Sequence, residues 1–262
     1  MRVILFILTM MWQVAPSAQT FDQSHKAFTD VLNEHVVVYD DGLKSVVDYR
    51  TLAENRQPLD DYLASLSVVN REQYESWTHE QQLAFLINAY NGFTLQLIID
   101  NIAEFKSGEA ESIRDLGWFL SSPWEKSFFT LLGKERTLDW VEHEKIRVDF
   151  NEPRIHAALV CAAISCPKLR AEAFSANKLD VQLEDQMVTF LSDPDKNGVD
   201  DKGLYLSKIF DWYSSDFDNL LNYLSGYTQA LTTTEKEEQR LQNNIDIRYL
   251  DYNWQLNSVE NR

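Results

Sequence analysis

Hydrophobic and polar positions along this chain alternate in blocks that read mostly as helices. In FDQSHKAFTDVLNEHV (21–36) the apolar residues fall at helical spacing, and PLDDYLASL (58–66) repeats the pattern with a proline near its first turn. KSVVDYRTL (44–52) begins as a short strand. Thr78, with Gln81 three residues on, forms a capping box that opens EQQLAFLINAYNGFTLQLIIDNI (80–102). That run is apolar almost all round, which predicts a long buried helix at the centre of the fold. SFFTLLGKERTL (127–138) predicts a hairpin turning at Gly133, followed by a short helix over DWVEHEKIR. Beyond it come RIHAALVCAAISCPKL, a helix over NKLDVQLEDQMVTFL (177–191), a loop, LYLSKIFDWYSSDF (204–217), helices near 219 and 235, and a terminal strand in IDIRYLDYNW. Helices outnumber strands and do not alternate with them. The expected class is α+β, a helix-rich single domain around a long buried helix with a small, mostly antiparallel sheet.

The first residues, MRVILFILTMMWQVAPSAQTF, carry Arg2, an apolar run from Val3 to Val14 and small residues from Ala15 to Ala18. This is the order of a cleaved signal peptide over 1–18, with a single globular domain over 19–262 and a periplasmic or extracellular location. The apolar run is shorter than the ~20 residues a membrane span needs. With 41 acidic against 24 basic residues the net charge is −17, a field that repels phosphate backbones and anionic lipid. Nucleic acid and membrane surfaces are thereby excluded as expected partners, and a small molecule or peptide is the class that remains. No cofactor signature is visible in the sequence, and the histidines and cysteines form no zinc-binding pair.

The chain has two cysteines, Cys161 and Cys166, with His156 just upstream. An exported location makes a disulfide between them feasible, while one reactive thiol or two buried thiols remain open. Cys161 is the candidate nucleophile and His156 the nearest base. Residues five apart lie ~140° apart on a helix and on opposite faces of a strand, so His156 reaches Cys161 only if the chain bends between them. The same holds for a disulfide between Cys161 and Cys166, which a chain extended at Pro167 favours. His143 is a second candidate base, with Arg147 four residues on along the same helix face to keep its imidazole neutral and to contact substrate. Asn88 and Asn91 put two amides on an apolar helix, either as partners of a loop backbone or as donors to an oxyanion.

The aromatic residues Tyr90, Trp118, Trp124, Trp140, Phe210, Trp212 and Tyr213 read as core and pocket wall, with Trp212 a candidate for substrate contact. Asp211 and Asp216 suit an acid or a helix start equally. SDPDKNGVDDKGL spaces Asp193, Asp195, Asn197 and Asp201 as in a calcium loop, but Leu204 stands where the bidentate glutamate belongs, which favours a polar turn between a helix and a strand.

FLINAYNGFTL, TLDWVEHEKIR, IHAALVCAAISCPKL, LSKIFDWYSSDF and IRYLDYNWQLN together resemble the family catalogued as domain of unknown function 547, over about residues 70–257. The resemblance implies a family and no particular reaction. It also favours Cys161 over Cys166 as nucleophile, because some members carry serine at the second position. Two functions of different class follow: a thiol-dependent hydrolase or acyl transferase of small amide or peptide substrates, and a noncatalytic binding module with structural cysteines and an aromatic groove.

Overall fold

The computed structural model describes residues 21–117, 122–242 and 246–262. The signal-like segment 1–18 and Trp118 lie outside the described residues.

The helix His79–Asp100 is the axis of the molecule. Its first turn is fixed by the reciprocal Thr78–Gln81 capping box, which satisfies two backbone donors that a helix start leaves unpaired. From Leu83 to Ile99 nearly every side chain is buried, so the helix has no solvent face. The helices Tyr49–Glu54 and Gln57–Ser67 pack against it, and Lys26–His35 packs against those two. Gly92 sets one of these distances: a Cβ there would lie 2.9 Å from Leu63 Cδ2, so only glycine lets Gln57–Ser67 approach this closely. Phe28, Tyr62, Phe85 and Phe93 fill the layer between them.

Three small sheets edge this core. Val36–Tyr39 pairs antiparallel with Lys44–Val47, and Phe129–Leu131 with Lys134–Arg136. The second hairpin turns through Leu132 and Gly133, both with positive φ, as a tight two-residue hairpin turn requires. In the third sheet Gly203–Leu206 is the centre, antiparallel to Gly198–Asp200 and parallel to Ile247–Tyr249. The molecule is helix-rich α+β with mostly antiparallel sheets. A second apolar cluster, with Met187, Phe190, Leu204, Phe210 and Phe217 at its heart, forms between the helix Leu179–Leu191 and the C-terminal elements.

Two local expectations are refined. The segment after the second hairpin is a π-helix, Trp140–Ile146, followed by a short α-helical turn, Arg147–Asp149. Val141 and Ile146 anchor it in the core, leaving Asp139, Glu142 and His143 on its other side. The terminal strand is confined to Ile247–Tyr249, after which residues 252–257 run as a tail against the cysteine segment. Ile164 N–H donates to Gln255 O at 2.9 Å, Asn257 N–H to Ala162 O at 3.1 Å and Ser165 N–H to Asn253 O at 3.2 Å.

The calcium-like loop folds as a polar turn between the helix Leu179–Leu191 and the strand Gly198–Asp200. Its oxygen donors are spent inside the protein. Asp193 is fully buried and paired with Lys196, Asp195 Oδ2 lies 2.5 Å from Lys44 Nζ, and the Asn197 amide joins Phe190 O and Ser207 N–H. Among the described residues no cluster of histidine, cysteine or carboxylate side chains is arranged to hold a metal ion.

Candidate functional site

A cavity of about 320 Å³ opens where the central helix, the π-helix, the cysteine segment and the C-terminal tail meet. Tyr90 rises into it from the central helix, and Asp139, Glu142 and His143 from the π-helix. His156 and Cys161 contribute from the cysteine segment, and Trp124, Trp212, Tyr213, Tyr252 and Trp254 complete the lining. Its size and mostly aromatic lining are those of a small-molecule site.

The cysteine segment reaches the cavity through a bend. A 3-10 turn, Pro153–Ala157, carries His156 and then stops. Ala162 takes φ 59°, and Cys166 N–H closes a turn on Ala163 O at 3.0 Å. That reversal brings the Cα atoms of Cys161 and Cys166 to 6.3 Å, and the two residues form a disulfide. Cys161 faces the cavity while Cys166 is buried. The Tyr252 hydroxyl lies 3.3 Å from Cys161 Sγ and 3.2 Å from Cys166 Sγ.

Of the three states left open for the cysteines, the disulfide is the one found: Cys161, the candidate nucleophile, is bonded to Cys166, and neither cysteine is a free thiol. Nor does a hydrogen bond join either sulfur to an imidazole among the described residues. His156 Nε2 donates to Asp216 Oδ2 at 2.8 Å, and its ring stacks on Tyr213 at 4.0 Å between centroids. Burial lowers the His156 pKa below its ordinary value, against the opposing pull of the Asp216 hydrogen bond. His143 Nδ1 accepts from Arg147 Nη1 at 2.9 Å, and its Nε2 lies 3.6 Å from Asp139 Oδ1. A guanidinium only donates, so Nδ1 is the acceptor in this contact.

Arg147 is turned away from the cavity. Its Nε and Nη2 reach Asp216 at 2.6 Å and 2.7 Å, a bidentate pair that holds the Asp216 carboxyl well below the usual carboxylate range. Expected at the substrate, Arg147 therefore fixes Asp216, which in turn orients His156. Asn88 and Asn91 also stand outside the cavity, because their amides are consumed by loop backbones. Asn88 pairs both ways with Phe174, and Asn91 bridges Ala158 O and Val160 N–H, each at 2.7–2.9 Å. Their work is to seat the cysteine segment and the loop at 174 on the central helix.

Of the aromatic residues expected at a pocket wall, Tyr90, Trp124, Trp212 and Tyr213 line the cavity. Phe210 belongs to the second core, and Trp140 lies beneath the Arg136 guanidinium, 3.7 Å from its ring centroid. Trp212 is 45% exposed, an unusual setting for tryptophan, and stacks on Trp254 at 5.7 Å. Glu142, by contrast, is only 6% exposed. Burial, reinforced by the Glu142 charge, pushes the Tyr90, Tyr213 and Tyr252 hydroxyls above the ordinary phenol range.

Sequence reasoning passed over Tyr252 and Trp254 as site residues. The alternation Tyr-Asn-Trp was the available signal, since residues two apart on an extended chain share a face. Tyr252 and Trp254 lie 4.6 Å apart between centroids on that face.

Residues 74–191 match the family model described as protein of unknown function, DUF547. The match supports the resemblance to that family over this stretch of the chain. The DUF547 segment holds the central helix, the π-helix, the disulfide and the helix Leu179–Leu191. Trp212, Tyr213, Asp216, Tyr252 and Trp254 lie beyond it, although the family resemblance was expected to reach about residue 257. No curated protein and no solved structure matches the chain.

Proposed function

We propose that this protein is an exported binding module that holds a small ligand in the cavity between the π-helix and the C-terminal tail. One observation carries the reading: aromatic rings from four separate parts of the chain converge on the cavity, while both cysteines are committed to a disulfide in its wall. A preformed, mostly aromatic concavity with a few placed polar groups suits binding. A thiolate enzyme needs a free sulfur and a base bonded to it. The disulfide also accords with an oxidising compartment, which supports the export expected from residues 1–18.

The test uses the tryptophans that line the cavity. Titrating a library of small molecules into the unreduced protein should change tryptophan emission for binders, and Trp212→Ala should weaken that response. Iodoacetamide should leave the unreduced native protein unlabelled. Rapid labelling of Cys161 in that protein would sink the structural role of the disulfide.

A second reading has one observation behind it: Cys161 and His156 share a cavity wall, and Asp216 orients His156. Reduction of the disulfide would release Cys161 beside that pair, giving a thiol-dependent hydrolase or acyl transferase. Amide or ester hydrolysis that appears only after reduction, and disappears in Cys161→Ala, would establish it.

A further inference from the structure

We propose that the cavity selects a small organic cation carrying an alkylated ammonium group. This rests on the ligand-binding reading above and names the chemical class of its ligand. Among the described residues, the lining includes two carboxyl groups, Asp139 and Glu142, and no lysine or arginine. An anionic ligand would meet these carboxylates with no countercharge, inside a chain of net charge −17. The two histidines of the wall do not supply one. His143 takes a guanidinium hydrogen bond at Nδ1, and His156 donates its Nε2 hydrogen bond to Asp216, whose charge Arg147 already shares.

The rings supply the second half of the argument. Trp212, Tyr252 and Trp254 form one contiguous group, with centroids 4.6–5.7 Å apart, and Trp124 meets Trp254 edge-on at 5.9 Å. Several aromatic rings around a cavity give the electron-rich surface that attracts alkylated ammonium groups. Two rings of the lining already lie against cations: the Arg114 guanidinium is 5.1 Å from the Trp254 centroid and Arg147 5.2 Å from that of Tyr213. Glu142 is nine-tenths buried and sits at the cavity wall, so its charge acts across a poorly hydrated space where attraction for a cation is strongest. A neutral ring-shaped ligand would use the tryptophans but not the charge of the two carboxyl groups.

The experiment compares choline with 3,3-dimethylbutan-1-ol, its neutral carbon analogue, and with acetate, by calorimetry and tryptophan emission on the unreduced protein. Choline should bind at least about tenfold more tightly than the neutral analogue, and acetate should not bind. Asp139→Asn and Glu142→Gln should each lower choline affinity several-fold without changing affinity for the neutral analogue. Asp139 is half-exposed, so that variant keeps the comparison usable even if Glu142→Gln folds poorly. Equal binding of choline and its neutral analogue overturns the cation proposal while leaving a ligand-binding cavity in place. Failure of choline to bind overturns the proposal too, and if neutral ligands also fail, the binding-module reading falls with it.

Discussion

Arg147 holds Asp216 through two parallel hydrogen bonds, at 2.6 Å and 2.7 Å, across 69 residues of sequence. The same carboxylate accepts from His156 at 2.8 Å, so one acid joins the π-helix end, the wall of the cavity and the turn after Trp212. Removing the charge leaves a half-buried guanidinium without its partner. Asp216→Asn should therefore cost about 2 kcal/mol in urea unfolding at neutral pH, below the full penalty of a deeply buried pair because both groups retain some water. An unchanged midpoint would show that the pair contributes nothing to stability.

The disulfide closes a very short loop, and the chain entropy it removes from the unfolded state is correspondingly small, about 2 kcal/mol. Replacing both cysteines by serine should lower the melting temperature by several degrees and leave a folded protein. Differential scanning calorimetry of the double variant, with far-UV circular dichroism as the check on folding, tests this.

Gly92 faces Leu63, where an added Cβ would lie 2.9 Å from Leu63 Cδ2. Gly92→Ala should be destabilising by about 1 kcal/mol, the overpacking cost exceeding the gain in helix propensity. Combining it with Leu63→Val should give a smaller loss than the two single losses added together, because the shorter side chain makes room for the new methyl group. Additivity in a double-mutant cycle would mean that the two sites do not feel each other.

His25 is buried, with Nδ1 2.8 Å from the Tyr62 hydroxyl, and burial lowers its pKa to about 4. In the unfolded chain the same imidazole titrates near 6.5. Between these values the unfolded state binds the extra proton, so stability is complete above about pH 6.5 and falls as pH drops toward 4, by about 3 kcal/mol. His156 is also lowered by burial and adds to the loss in the same direction. The left-handed backbone at His25, φ 50°, tolerates asparagine, so His25→Asn should flatten the pH dependence of the urea midpoint between pH 4 and 6.5.

The elements legible in the sequence are those set by local rules. The capping box at Thr78, the apolar surface of the helix after it and the turn at Gly133 each need only near neighbours, and each stands where its pattern places it. Asn88 and Asn91 were legible as buried amides in need of partners, but the identity of those partners, 67 to 86 residues away, was not. The cysteine spacing excluded a regular element without revealing the reversal at Ala162, where a residue with a side chain adopts a left-handed backbone held by the tail. The π-helix eluded the pattern for a related reason. Its apolar positions Val141 and Ile146 are five apart, a spacing that fits a wider turn only when the core on one side is known.

The tail that clamps the cysteine segment also imposes an order on biosynthesis. Residues 85–166 emerge from the ribosome long before Asn253, Gln255 and Asn257 are made, so the backbone groups of Ala162, Ile164 and Ser165 spend that interval without their final partners. The central helix and its packed neighbours can assemble early, whereas Tyr252 and Trp254 reach the cavity only with the tail. A nascent chain halted before residue 252 would hold the central helix and the cysteine segment with an unfinished wall, and completion of the cavity waits for residues 252–254.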